Sequence, residues 1–219
     1  MDRIAEPPPT MPVLAAQDED VRSLLSGGWI RYRTSPALQD LSWRAHALCA
    51  RIGQIYHDDL DEARRLFREL VPGAGDGIDF RPPLSIDYGE RLVIGDRTFI
   101  NADFLVVGGG LVTIGEDTLI GPRCAIYTPN HAEDIASRVE GWELPEPVTI
   151  GSRVWLGGSV TITPGVTIGD DAIIGAGSVV TRDIPAGVVA VGNPCRPVRE
   201  ITTARRAPGS AQETADALS

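Results

Sequence analysis

The chain has 219 residues, of which 42% are hydrophobic, and it carries a formal charge of −10 at pH 7. That length allows about one domain with appendages, and the negative field repels nucleic acid and anionic membrane alike. No apolar run approaches the roughly 20 residues that span a bilayer, and every basic residue is arginine, which excludes lysine Schiff-base and P-loop chemistry.

Residues 1–20 are expected to be disordered, since they open on a Pro-rich stretch and lack the apolar segment of a secretory signal. A cytoplasmic protein follows by default. Residues 21–72 read as a helical segment. Ser35-Pro36 offers an N-cap and a first-turn proline ahead of Leu38, Leu41, Ala45, Leu48 and Ile52 at three- and four-residue intervals. Asp59 with Glu62 resembles a capping box for a second helix through Leu66 and Leu70. These helices are suited to cap the open end of the domain that follows, where unpaired strand backbone invites aggregation.

Within residues 73–200, the stretch from Val93 to Gly192 carries an aliphatic residue every sixth position, usually followed by glycine. The series runs Ile94-Gly95, Ile100-Asn101, Ile114-Gly115, Ile120-Gly121, Ile126, Ile150-Gly151, Leu156-Gly157, Ile162, Ile168-Gly169, Ile174-Gly175 and Val180. Such a hexapeptide period predicts a parallel β-helix, with one aliphatic side chain per short strand pointing inward and three strands completing a triangular coil. Val148, Val154, Val160, Val166, Ala172 and Ser178 are small or β-branched, as a narrow interior requires. The step from Ile100 to Ile114 breaks the period, which places an insertion at the Gly108-Gly109-Gly110 corner. Between Ile126 and Ile150 the period vanishes, and residues 131–147 are charged and proline-containing, so an excursion loop is expected there. Loops on regular scaffolds carry function.

Cys49, Cys124 and Cys195 lie far apart without CxxC spacing, which supports packing and neither a disulfide framework nor a zinc site. Toward the end of the coils, Arg182, Arg196, Arg199, Arg205 and Arg206 outnumber Asp183 and Glu200, so an anionic ligand can be held against the chain's overall sign. Residues 201–219 have the small, polar composition of a tail.

Several segments together resemble the maltose/galactoside/nodulation O-acetyltransferase family of hexapeptide-repeat acyltransferases. They are Ile86-Asp87-Tyr88-Gly89, Phe99-Ile100-Asn101, Tyr127-Thr128-Pro129-Asn130-His131, Val154-Trp155-Leu156-Gly157-Gly158 and Gly192-Asn193-Pro194-Cys195-Arg196. The resemblance covers roughly residues 24–201 and is strongest from Ile86 onward. It implies a left-handed β-helix, a homotrimer with sites between neighbouring subunits, and acetyl-CoA as donor.

The chemistry can be reasoned beside the resemblance. Acetyl transfer to a hydroxyl needs a base, and histidine, with an ordinary pKa of about 6.5, suits that task. Of His46, His57 and His131, the first two lie in the helical segment and are assigned to packing or solvent contact. His131, where the repeat gives way to the excursion, is the candidate base. The resemblance implies Gly158 as the backbone donor to the developing oxyanion. It also places Trp155 and Gly157 beside the acetyl-CoA arm, and Arg196 and Arg199 near its phosphates, where guanidinium forks bind well. Asp87 and Asn101 match acceptor-side positions, although corner hydrogen bonding is the ordinary use of both residue types. Glu143 or Trp142 is expected to close the site from the excursion.

The acceptor side departs from the family pattern. Where galactoside enzymes place an acidic residue, this chain has Gly109, and residues 27–32 follow the family only loosely. A small-molecule sugar or other hydroxylated acceptor is therefore expected without further identity. An N-acetyltransferase acting on an amino sugar would use the same donor and base. A non-catalytic β-helix binding protein would tolerate loss of the histidine, the tryptophan and the arginines together, and their joint presence argues against it.

Overall fold

Short acidic and hydroxyl-led turns start each helix of the amino-terminal segment. The computed structural model describes residues 18–202. Helix α1 (Glu19–Leu25) begins at Asp18, whose side chain accepts from the Val21 N–H at 3.1 Å. Asp18–Asp20, assigned above to a disordered stretch, are thus its cap and first turn: Asp18 satisfies a free N–H, and Glu19 and Asp20 complement the helix dipole. The rest of that stretch, residues 1–17, lies outside the described residues, as does residues 203–219 of the tail. Helix α2 (Pro36–Ile55) is capped by Ser35 as expected, with Leu38 N donating to Ser35 Oγ at 3.2 Å. Helix α3 (Leu60–Leu70) is capped by Asp59. The reciprocal half of the box is absent, because the Glu62 carboxylate turns to Arg65 at 2.6 Å instead.

The coils follow. The first holds β1 (Gly73–Ala74), β2 (Asp79–Phe80) and β3 (Leu84–Ile86); the second, β4 (Leu92–Ile94), β5 (Phe99–Ile100) and β6 (Phe104–Val107); the third, β7 (Val112–Ile114), β8 (Leu119–Ile120) and β9 (Ala125–Tyr127). An excursion then leaves the helix. It is a hairpin of β10 (Pro129–His131) and β11 (Glu143–Pro145) joined through α4 (Ile135–Glu140), more ordered than the loop expected. Asp134 caps α4 and Gly141, at φ 89°, ends it, so both helix signals stood in the sequence. The coils resume with β12 (Val148–Ile150), β13 (Trp155–Leu156) and β14 (Thr161–Ile162), then β15 (Thr167–Ile168), β16 (Ile173–Ile174) and β17 (Val179–Val180). β18 (Val188–Val191) and an antiparallel β19 (Arg196–Glu200) close the chain.

Three sheets result: β1-β4-β7-β12-β15, then β2-β5-β8-β13-β16-β18-β19, then β3-β6-β9-β14-β17. Parallel pairing puts Ile94, Ile114, Ile150 and Ile168 in one buried column, and Ile100, Ile120, Leu156 and Ile174 in a second. Val106, Ile126, Ile162 and Val180 form a third. The glycine run sits at the corner between β6 and β7 without disturbing this register. Ala45, Cys49 and Ile52 of α2 and Leu66, Phe67 and Leu70 of α3 join the same core as Phe80, Leu84 and Ile86, with Phe67 stacked on Phe80 at 4.4 Å between centroids. The helices therefore cover the first coil. No helix among the described residues is long and apolar enough to cross a membrane.

The corner between the first and second sheets repeats a left-handed residue at Arg97, Asp117, Arg153 and Asp171. That conformation is unfavourable for side chains other than glycine, and here it aligns alternating charges into a ladder. Arg97 bonds Asp117 and Glu116, each at 2.7 Å, and Arg153 bonds Asp171 at 2.7 Å. Both aspartates are held below the usual carboxylate range by those guanidinium bonds. The glycine one step earlier answers a different need: a Cβ on Gly115 would collide with the Ser152 and Gly151 backbone of the next coil. Gly115→Ala is expected to destabilise the protein by about 1–3 kcal/mol through overpacking, read by urea unfolding. Unchanged stability would mean that the coils can spread at this corner.

Candidate active site

The excursion positions His131. Across the hairpin His131 pairs with Glu143, and Glu143 is bonded on its other side to Ile30, with Ile30 N to Glu143 O at 2.9 Å and Glu143 N to Ile30 O at 3.0 Å. A single β-bridge from Ile30 in the amino-terminal segment thus braces the two-stranded hairpin. Asn130 adds a side-chain bond to Glu146. The His131 side chain is exposed, free for a ligand to reach.

Asp87 shares that neighbourhood. It follows β3 at the corner between the third and first sheets, and Glu143 senses both it and His131. Burial pushes the Glu143 carboxyl up, His131 opposes the shift, and the Asp87 charge reinforces it. Asp87 Oδ2 accepts from the Gly108 N–H at 2.8 Å, and Oδ1 accepts from His46 Nε2 at 2.9 Å. His46 was assigned to packing or solvent contact; it instead reaches from α2 to this carboxylate. Tyr88 is 3% exposed, and its hydroxyl has no hydrogen-bond partner among the described residues. Burial pushes the phenol well above its ordinary range, with Asp87 and Glu143 adding to the effect.

The glycine run does not open space here. A Cβ on Gly109 would meet Leu24 of α1, and the Gly109 carbonyl accepts from Arg91 Nε at 3.0 Å. Trp142 immediately precedes β11, and the Arg31 guanidinium lies 4.8 Å from its ring centre. Trp29, Trp142 and Ala132 line a cleft of about 430 Å³ there.

A second group of candidates occupies another corner, between the second and third sheets. Asn101 Oδ1 accepts from the Ala102 N–H at 2.9 Å, the local corner bond, which leaves its amide nitrogen without a partner among the described residues. Gly157 is buried, and its carbonyl accepts from Cys124 Sγ. The Gly158 N–H makes no hydrogen bond among the described residues. Trp155, 52% exposed, stands between Leu119 and Ile173 on the outer face of the second sheet. It lines a groove of about 910 Å³ together with Val189, Arg199 and Ile201. Arg196 is turned to the Cys195 carbonyl at 2.6 Å and does not line this groove.

The candidates therefore divide. His131, Asp87 and Glu143 gather at one corner; Asn101, Gly157, Gly158 and Trp155 gather at another, with the third sheet between. A single chain does not bring the two groups together. Burial raises all three thiols, Cys49 to about 11, so none supplies a thiolate near neutrality. No cluster of three or more metal-ligating side chains occurs among the described residues.

A parallel β-helix in six-residue steps, bearing an exposed histidine on a hairpin excursion, defines a hexapeptide-repeat transferase. Residues 147–182 match the bacterial transferase hexapeptide family model, which spans six repeats. The galactoside O-acetyltransferase of Escherichia coli K12 is 37% identical over 158 residues, covering 72% of this chain and 78% of that protein. The crystal structure of a maltose O-acetyltransferase from Clostridium difficile 630 matches with a TM-score of 0.79 at 36% identity, over 82% of this chain and 96% of that one. A hexapeptide-repeat acetyltransferase from Vibrio cholerae O1 biovar eltor, complexed with acetyl coenzyme A, matches with a TM-score of 0.77 at 33% identity, over 84% and 99%. The chain belongs to the maltose/galactoside/nodulation O-acetyltransferase family. It is an acyltransferase built on that family's left-handed β-helix.

The raised Glu143 carboxyl has a sign that can be tested. A folded-state value above the unfolded one contributes stability below the ordinary glutamate range and loses it as pH rises through the folded value. Glu143→Gln is therefore expected to gain melting temperature relative to the parent between pH 4 and pH 7. A gap that does not change across that range would contradict burial as the main cause.

Proposed function

We propose that the chain transfers an acetyl group from acetyl-CoA to a hydroxyl of a sugar or other hydroxylated small molecule, directly and within a ternary complex. The observation that carries this reading is the exposed His131 on a fixed ribbon beside two carboxylates, Asp87 and Glu143. His131 takes the hydroxyl proton as the acceptor oxygen attacks the thioester carbonyl, and returns it to the departing thiolate. The free Gly158 N–H meets the charge that builds on the carbonyl oxygen. Asp87 and Glu143 accept from neighbouring hydroxyls of the acceptor, and Asn101 offers its free amide. Trp155 and Arg199 receive the coenzyme arm in their shared groove, and Arg196, outside that groove, is assigned to the coenzyme phosphates on family likeness alone.

The separation of the two groups supports a homotrimer in which the His131 corner of one subunit faces the Gly158 corner of its neighbour. Trp155 and the 49% exposed Leu119 are an apolar surface suited to such a boundary. A hydroxyl fits better than an amine, because paired carboxylates favour the ammonium form, which has no lone pair to attack with. The three buried free cysteines agree with a cytoplasmic setting.

His131→Ala is expected to lower acceptor-dependent thiol release by about 10²–10⁴-fold while acetyl-CoA still binds by calorimetry. A loss smaller than about tenfold would remove His131 as the base.

A further inference from the structure

Asp87 is held unusually firmly for a side chain at an open corner. Its backbone N–H donates to the Val106 carbonyl at 3.1 Å, Oδ2 accepts from the Gly108 N–H at 2.8 Å, and Oδ1 accepts from His46 Nε2 at 2.9 Å. The first two bonds come from the next coil. The third comes from α2, an element with no part in the repeat. Helix α2 reaches this corner because Ala45 and Cys49 are buried in the core shared with Ile86, the residue before Asp87. His46 then projects from the edge of that buried stripe onto the carboxylate.

An ionised carboxylate offers about four acceptor sites. Two are occupied, and the Asp87 side chain keeps 23% exposure, so the remaining sites are open to a ligand. His46 is itself 49% exposed, and the helix does not need it for packing. An imidazole that is half in solvent, yet aimed at a carboxylate beside Glu143 and His131, is better placed to orient Asp87 than to hold the fold.

We propose that His46 is a positioning residue for acceptor binding: its Nε2–H fixes the Asp87 carboxylate in the rotamer that receives an acceptor hydroxyl. The inference rests on the acetyltransferase reading above and deepens it. Without His46, Oδ1 loses its partner, the carboxylate rotates about the bond to Cβ, and the acceptor meets a less ordered site. The amino-terminal helices then contribute to specificity as well as covering the first coil.

The test uses the full chain with acetyl-CoA and the best acceptor among maltose, glucose and methyl galactoside. His46→Ala is expected to raise acceptor KM about tenfold, the range seen when an outer partner of a ligand-binding group is removed, with acetyl-CoA KM unchanged and kcat within about twofold. His46→Gln, whose amide nitrogen takes the place of Nε2, is expected to restore most of the acceptor KM. In an Asp87→Ala background, His46→Ala is expected to add nothing, since it acts through that carboxylate. Equal acceptor KM in the parent and His46→Ala would overturn the inference and leave the acetyltransferase reading standing. So would a rise of similar size in both KM values, or an additive effect in the Asp87→Ala background. Absence of acceptor-dependent thiol release by the parent protein would overturn that reading, and this inference with it.

Discussion

Each strand inside this β-helix is held by the strands of the coils on either side of it, and each end strand by one neighbour. Strands of two or three residues have no stability alone, so the parallel ladder, repeating at about 4.8 Å, is the constraint on which everything else depends. It forces equivalent residues into columns. Inward columns become an aliphatic core, and corner columns must tolerate a neighbour's backbone directly above and below. Gly95 and Gly115 answer that crowding by having no Cβ, while Arg97, Asp117, Arg153 and Asp171 exploit it by linking their charges along the corner. A rigid prism with fixed corners also makes a precise mount. Asp87, Gly108 and Thr128 all lie along one corner, and the hairpin that carries His131 departs from that same edge.

The period of six was legible because each coil contributes the same inward residue, and the pairing of Ile114 with Ile150 shows that the excursion does not disturb it. His131 was legible because it stands where the period stops. The helix starts at Ser35 and Asp59 were legible because capping is local. Asp18–Asp20 and α4 were missed although their caps were equally local: the acids beside Pro-rich sequence read as disorder, and a six-residue helix inside a charged excursion offers too few apolar positions for a period. The antiparallel β19 was missed because its five residues are all exposed and carry no alternation.

Other features could not be read from sequence because they depend on elements far apart in the chain. His46 and Asp87 meet only after α2 packs on the first coil. The gap left by Gly109 is filled by Leu24, which lies far away in the chain on α1. The bridge that braces Glu143 comes from Ile30, which lies in the loosely matching amino-terminal segment. Family likeness named individual positions; which of them lie together in one chain is a matter of the prism.

That division is the centre of the account. With His131 at one corner and Trp155 and Gly158 at another, the proposed reaction takes a second copy of the chain to complete its site. The most direct measurement is complementation between His131→Ala and Trp155→Ala, co-expressed with different tags and purified as mixed assemblies. In a cyclic trimer each mixed assembly contains one boundary with both residues intact, so thiol release at about a third of the parent rate is expected. Mixed assemblies no more active than either variant alone would show that each chain uses its own His131 and Trp155, and the shared-site account would be wrong.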